Sequence, residues 1–486
     1  MNCHDHLYAF GNPRFHSRRW FLNECGLGVG KVALASLLTD AFVPRLISAT
    51  AAPADGFTSP GPHCPGKAKH VIHLFMSGAP SQLDLFDYKP ELAKLAGKPL
   101  PPSVIAGQRY AFIRSDAAVL GPQYKFNKHG QSGAELSEAI PHLAGVVDDI
   151  CLIKSMKTEQ FNHAPGQIFL NTGFAQPGRP SIGSWVLYGL GSASQDLPAF
   201  VVMSTGAGIS GGSANWSSGF MPSSYAGVRF RNQGDPIVDV SSPKGVDAKL
   251  QRASLDLIEE MNHARLGIVG DPEIESRINS YELAYRLQTS APELMELKKE
   301  SKETLEMYGC DPDKPSFARA CLLARRMIER GVRFVNIYHE GWDAHSDVIG
   351  NLKKNCAATD KASAALVRDL KQRGLLAETL VIWGGEFGRT PMVENNPSIG
   401  RSLGRDHHPQ AFSMWMAGGG IKGGLTHGAT DEMGFHVVQD EVQIHDLQAT
   451  ILHCLGLDHE RLTYTHQGRS FRLTDVTGQA VKSILA

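Results

Sequence analysis

The chain of 486 residues carries 48 Lys and Arg against 49 Asp and Glu, a formal net charge of -1. No strong field of either sign is available to hold a polyanion, so a nucleic-acid partner is not expected. With 42% hydrophobic and 20% charged residues, the composition suits a globular protein with a sizeable core and excludes a disordered or fibrous chain.

In chain order, Ser17-Arg18-Arg19-Trp20-Phe21-Leu22 comes first, followed by a weakly apolar stretch from Gly26 to Phe42 and Ala-rich sequence around Ala49-Thr50-Ala51. This pattern predicts a twin-arginine signal peptide over 1–51. A chance arginine pair before an amphipathic helix would explain neither the Phe-Leu that follows nor the position. The twin-arginine translocase exports proteins already folded, often around a metal, so it is an expected partner during export. A periplasmic or extracellular location and a prosthetic site are expected with it. Lys31 and Asp40 interrupt the apolar run, so no membrane span is expected. Cys64, Cys151, Cys310, Cys321, Cys356 and Cys454 would remain after cleavage, and none forms Cys-x-x-Cys. Scattered buried thiols with one or two disulfides are expected, rather than a thiolate zinc site.

Residues 52–68, rich in Pro and Gly, read as a linker, and 69–486 as one large domain. His70 to Met76 is a short apolar run ending in Ser77-Gly78-Ala79-Pro80, which predicts a buried strand and a loop. Similar runs stand at Ile150–Ile153, Ala199–Met203, Phe334–Tyr338, Leu380–Trp383 and Phe412–Met416. Between them, Leu352, Cys356, Thr359, Ser363, Leu366 and Leu370 keep helical spacing, and Gly374 supplies a stop. Alternating strands and helices predict an α/β protein with a mainly parallel sheet. Residues 247–308 turn charge-rich and helical, with Pro272 and Pro292 expected to break them into pieces, and read as a helical insertion. Gly206-Ala-Gly208-Ile-Ser-Gly211 matches a dinucleotide fingerprint and overlaps a nucleophile-elbow match, but no helical pattern follows to complete either site.

Four polar segments after or beside expected strands can carry chemistry: 77–87 with Asp84, 339–345 with Asp343 and His345, 384–390 with Glu386 and Arg389, and 404–409 with Arg405, Asp406, His407 and His408. Each taken alone suits a solvated loop. The i, i+2 spacing of Asp343/His345 and of Asp406/His408 places carboxylate and imidazole on one side of extended backbone, as a shared metal requires. His407 then faces away or orients a neighbour. Mixed imidazole and carboxylate ligands point to a divalent metal, zinc or manganese, rather than calcium.

These segments resemble an exported family designated domain of unknown function 1501, within the alkaline phosphatase and sulfatase superfamily. The likeness rests on Ser77 to Asp87 with Lys89-Pro90, Gly341-Trp-Asp343-Ala-His345-Ser, Gly384-Gly-Glu386-Phe-Gly-Arg-Thr-Pro391 and Gly-Arg405-Asp406-His-His-Pro, and it spans about 70–486. It implies an alkaline phosphatase-like fold. Against sulfatases, Asp360 to Arg389 looks like the helix, turn and strand leading to an Asp-His metal pair, which here reads Glu386-Phe387. Asp446 to Leu452 looks like the superfamily's late helix and Gly468-Arg-Ser470 like its closing turn. Sulfatases carry Cys or Ser two residues before a Pro and Thr-Gly beyond it; His163-Ala-Pro165 and Thr172-Gly173 keep both spacings, with His163 in the nucleophile's place. Formylglycine chemistry is therefore not supported. Metal-activated water, a phosphohistidine-type intermediate, His163 as a metal ligand, and no catalysis all stay open.

The sequence thus leads to an exported metal-dependent hydrolase of phosphate or sulfate esters, with Asp84, Asp343, His345, Glu386, Asp406, His407 and His408 as metal candidates. Arg389 and Arg405 are expected to meet the polarised ester, with His163 opposite. The alternative is a non-catalytic exported protein that binds a sulfated or phosphorylated glycan or small molecule on the same fold.

Overall fold

The computed structural model describes residues 59–486 apart from 106–109, 111, 115, 207, 238–244, 397 and 399. The expected signal peptide and residues 52–58 of the expected linker lie outside the described residues. Residues from 59 onward are tied to the body: the Gly61 amide donates to Gly189 O, His63 to Gly456 O and Ala68 to Cys454 O.

The central sheet has nine strands. With a two-stranded ribbon numbered in sequence, the strands are β1 (His70–Ser77), β2 (Ile150–Lys157), β3 (Phe200–Thr205), β4 (Val228–Arg229), β5 (Phe334–Glu340), β6 (Thr379–Gly384), β7 (Gly388–Asn396), β8 (Arg401–His408), β9 (Phe412–Ala417), β10 (Leu425–His427) and β11 (Val442–Gln443). The sheet order is β10-β2-β9-β6-β1-β5-β3-β4, with β11 on β2. β9 runs antiparallel to β2 and β6, and the other pairings are parallel. Among the described residues the longer helices are α1 (His163–Thr172), α2 (Ile182–Leu190), α3 (Ala248–Val269), α4 (Pro272–Met295), α5 (Lys302–Tyr308), α6 (Phe317–Ile328), α7 (Val348–Gln372) and α8 (Ile444–Cys454).

The apolar run of β1 is continuous because both of its faces are buried. Ile72, Leu74 and Met76 pack into one core with Leu322 of α6 and Leu366 of α7. Val71 and Phe75 pack into the other with Leu170 of α1, Val186 of α2 and Ile451 of α8. Helices therefore cover both faces of a mostly parallel sheet. In α7 all six apolar or small residues at helical spacing are buried, from Leu352 to Leu370. Asp347 caps its start by accepting from the Gly350 amide, and Gly374 follows its end at φ 72°.

Residues 248–308 are helical, as α3, α4 and α5. Pro272 begins α4 where no intrahelical donor is needed, but Pro292 does not break it: α4 runs on to Met295, the proline costing one hydrogen bond near the helix end. The six described cysteines are all unpaired, so the expected disulfides are absent among the described residues. Gly211 is followed by a five-residue 3-10 turn, Gly212–Trp216, and by no α-helix that would cradle a phosphate.

Candidate metal centre

β6, β1 and β5 are neighbours in the sheet, so the loops leaving their carboxyl ends lie side by side, where α/β proteins place their sites. Gly78 is required in the first loop: its φ is 107°, and a Cβ there would stand 2.5 Å from the Asp343 amide nitrogen. That close approach seats the loop carrying Asp343 and His345 against β1. His163 opens α1, and one turn later Gln167 donates to Ser77 Oγ at 2.6 Å and to Glu386 Oε1 at 3.1 Å. His407 and its neighbours arrive on the antiparallel ribbon β7–β8.

These elements bring His163, Asp343, His345 and His407 together, with one ligand atom from each, all within 4.8 Å of one another. Around Asp343 Oδ1 the Nε2 atoms of His163, His345 and His407 lie at 3.2, 3.1 and 3.4 Å. The other nitrogen of each ring is spoken for. Nδ1 of His163 donates to Glu386 Oε1 at 2.7 Å, that of His345 to Glu394 Oε2 at 2.5 Å, and that of His407 to Phe161 O at 2.7 Å. Because those partners accept, Nδ1 carries the proton of each neutral ring and Nε2 presents a lone pair to the centre. His163 Nε2 is buried beside Asp343 Oδ1 without a hydrogen bond of good geometry, a position that a metal between the two atoms would satisfy.

The surroundings select for positive charge at this point. Burial would raise the Asp343 carboxyl, but His163, His407 and Arg389 hold it far below the usual carboxylate range. Burial opposes charge on His163 too, yet Asp343 and Glu386 outweigh it and push the imidazole up to about 9. The His407 imidazole is lowered to about 4, by burial first and then, against the pull of Asp343, by the charges of Arg389 and His163. Burial raises Glu394, while His345 and Arg401 more than offset it and leave the carboxyl lowered. Phe387 packs on the rings of His163 and His407, at 5.1 and 4.6 Å between centroids, and Phe112 stands edge-on to His345 at 4.9 Å.

The remaining sequence candidates sit around this centre or away from it. Glu386 is fully buried and, besides His163, accepts from the Gly78 amide at 3.0 Å, so it orients an imidazole rather than facing the centre. Asp84 is turned away, in a buried ion pair with Arg405 Nε at 2.8 Å. Asp406 accepts the amides of Phe112 and Ile113 and lies in a second buried group with His345 and Glu394. His408 is buried elsewhere, its Nε2 bonded to Phe435 O at 2.6 Å, and burial lowers it to about 4. The expected i, i+2 alignment of Asp406 and His408 fails because β8 is irregular between Arg405 and His407, and the irregularity turns His407 into the centre instead.

Arg389 and Arg405, expected to meet the ester, are engaged within the protein. Both are fully buried, and their nitrogens are used on the protein: Arg389 on Ala79 O, Gly78 O, Arg405 O and Asp343, and Arg405 on Asp84, Leu120 O, Gly121 O and Thr390 O. Arg389 positions the Asp343 carboxylate, to which it donates at 2.6 Å. Glu394, which sequence reasoning missed, follows no strand end and no recognisable spacing; only the ribbon fold carries it to His345.

Fold and site together define an α/β protein with a mostly parallel sheet flanked by helices and a histidine–carboxylate cluster at the carboxyl ends of its strands. The chain belongs to the family described as Protein of unknown function (DUF1501), whose profile matches residues 68–485. Among solved structures it is similar to the PsFucS1 sulfatase from Pseudoalteromonas sp., at 11% identity and TM-score 0.35, over 81% of this chain and 68% of that one. It is similar to the lipoteichoic acid synthase LtaP from Listeria monocytogenes, at 10% identity and TM-score 0.31, over 81% and 73%. It is also similar to the alkaline phosphatase from the Antarctic bacterium TAB5, at 12% identity and TM-score 0.30, over 80% and 98%. Comparison with curated proteins gives no match.

Proposed function

We propose that the protein is an exported metal-dependent hydrolase of phosphate or sulfate esters whose His163, Asp343, His345 and His407 hold one divalent transition metal. The observation that carries this reading is the convergence of three imidazole Nε2 atoms on one carboxylate, each ring fixed through its Nδ1. Three imidazoles and a carboxylate favour zinc, with manganese second. Such a metal, when bound, supplies a Lewis acid that polarises an ester oxygen or acidifies a water. Asp343, whose side chain is 42% exposed, marks the open side from which an ester approaches. Arg389 keeps its carboxylate in place, and Glu386 and Glu394 keep the rings of His163 and His345 aimed. As a ligand, His163 has no lone pair left for attack on the ester, so water is the nucleophile.

Elemental analysis after metal-supplied expression should find about one metal per chain, and hydrolysis of an aryl phosphate or aryl sulfate should stop when the metal is chelated. His163→Ala should then lower metal content and turnover together, turnover by about a hundredfold or more. Less than about a tenth of a metal per chain would sink the centre. A metal-loaded protein no faster than its metal-free control would sink the hydrolase. That second result would leave the other reading, a non-catalytic protein binding sulfated or phosphorylated glycans or small molecules. The histidine at 163 and the full engagement of Arg389 and Arg405 inside the protein favour it.

A further inference from the structure

Helix α3 has 22 residues and buries none of them. One of its faces is half covered by α4: Arg252 pairs with Glu282 and lies over the Tyr285 ring, and Leu255, Glu259, Asn262 and Leu266 follow at helical spacing with partial burial. The opposite face is apolar and open, with Leu250 54%, Leu257 57%, Met261 66% and Ile268 86% exposed. With Ser254 and Ala264 these form a seam at 250, 254, 257, 261, 264 and 268, steps of four and three that repeat every seven residues. A helix already packed on one side needs no such seam for its own fold, and contiguous apolar surface of this kind marks an interaction site.

We propose that this seam joins two copies of the chain as a parallel helix pair. Leu250 and Leu257 occupy the positions where leucine, and Ile268 one where a β-branched residue, favours two parallel strands. Glu260 and Arg265 flank the seam on opposite sides, five residues apart, the spacing of interhelical ion pairs in a parallel pair. Both are exposed, and among the described residues no ion pair involves either. Parallel packing sets each Glu260 against Arg265 of the partner subunit, whereas antiparallel packing would bring the two Glu260 carboxylates together. A membrane surface fits less well: Lys249, Arg252 and Arg265 are balanced on the helix by Asp256, Glu259 and Glu260, which leaves no basic excess for anionic lipid.

Light scattering of the purified protein tests this. Wild type should run at twice the chain mass, and Leu257→Asp with Met261→Asp at the chain mass, with unchanged thermal unfolding and metal content. Glu260→Arg or Arg265→Glu should each weaken the dimer by about threefold or more, and the two together should restore it. Leu250→Cys should form an interchain disulfide on oxidation, since in a parallel pair each residue faces itself. A monomeric wild type, a dimer indifferent to the double Asp variant, failure of Leu250→Cys to cross-link, or binding to phospholipid vesicles in place of dimerisation would overturn the proposal.

Discussion

At the scale of the residue, the centre depends on atoms that never face it. A ring that donates from Nδ1 to a carboxylate is held in one tautomer and one orientation and is made a better ligand. Glu386→Gln and Glu394→Ala should each lower metal affinity by about tenfold to a hundredfold, measured by competition with a chelator, while thermal unfolding of the metal-free protein shifts far less. Unchanged affinity would mean that the rings are held by packing against Phe387 and Phe112 alone. Asp343 and His345 were legible in the sequence because they follow a strand closely. Glu394 was not, since its partner His345 stands 49 positions away and nothing in Met392-Val393-Glu394 announces it. Arg389 and Arg405 were legible as important cations but not as structural ones: only burial shows that their charge is spent inside the protein.

At the scale of the element, β1 and the loop after it set the position of the site. Gly78→Ala would force a Cβ into the space of the Asp343 amide at a positive φ. We expect a loss of stability on the order of 1–3 kcal/mol, read as a lowered Tm, together with weakened metal binding because the Asp343 loop is displaced. A Gly78→Ala protein with wild-type Tm and metal affinity would show that the approach is not tight. In β1, His73 is buried without a partner for its Nε2, and burial lowers its pKa to about 3. His339 on β5 is likewise lowered to about 4 by burial, against a hydrogen bond that its Nε2 donates to Asn355 Oδ1 and that favours the charged ring. Both folded values lie below the unfolded value near 6.5, so their stabilising effect is complete above about pH 6.5 and declines as pH falls toward 4 and then 3. Unfolding free energy measured between pH 7 and 4 should therefore fall with acidity, and more gently in His73→Leu. Identical slopes would show that His73 titrates normally.

At the scale of the whole molecule, the expectation of export rests on Arg18 and Arg19, outside the described residues. Replacing both with Lys should leave folded protein inside the cell, as fractionation and blotting would show. Normal export of the double variant would remove the compartment assignment. No described helix is long and apolar enough to cross a membrane. The seam on α3 belongs to this scale too, because a stripe that is superfluous within one chain acquires a purpose only between two.

The α/β architecture and the family are readable from the order of residues alone. The strands were legible because a strand buried on both faces must be an unbroken apolar run, and α7 because a helix packed on one side repeats its apolar residues at a helical period. The set of polar loops near the site was legible for a related reason: loops at strand ends carry chemistry wherever a parallel sheet forms. Which polar residues meet is a property of the folded chain. That selection depends on sheet order, on a close backbone approach at Gly78 and on the irregularity in β8 between Arg405 and His407. Such geometry is set by contacts between residues far apart in the chain, and local spacing carries no record of them.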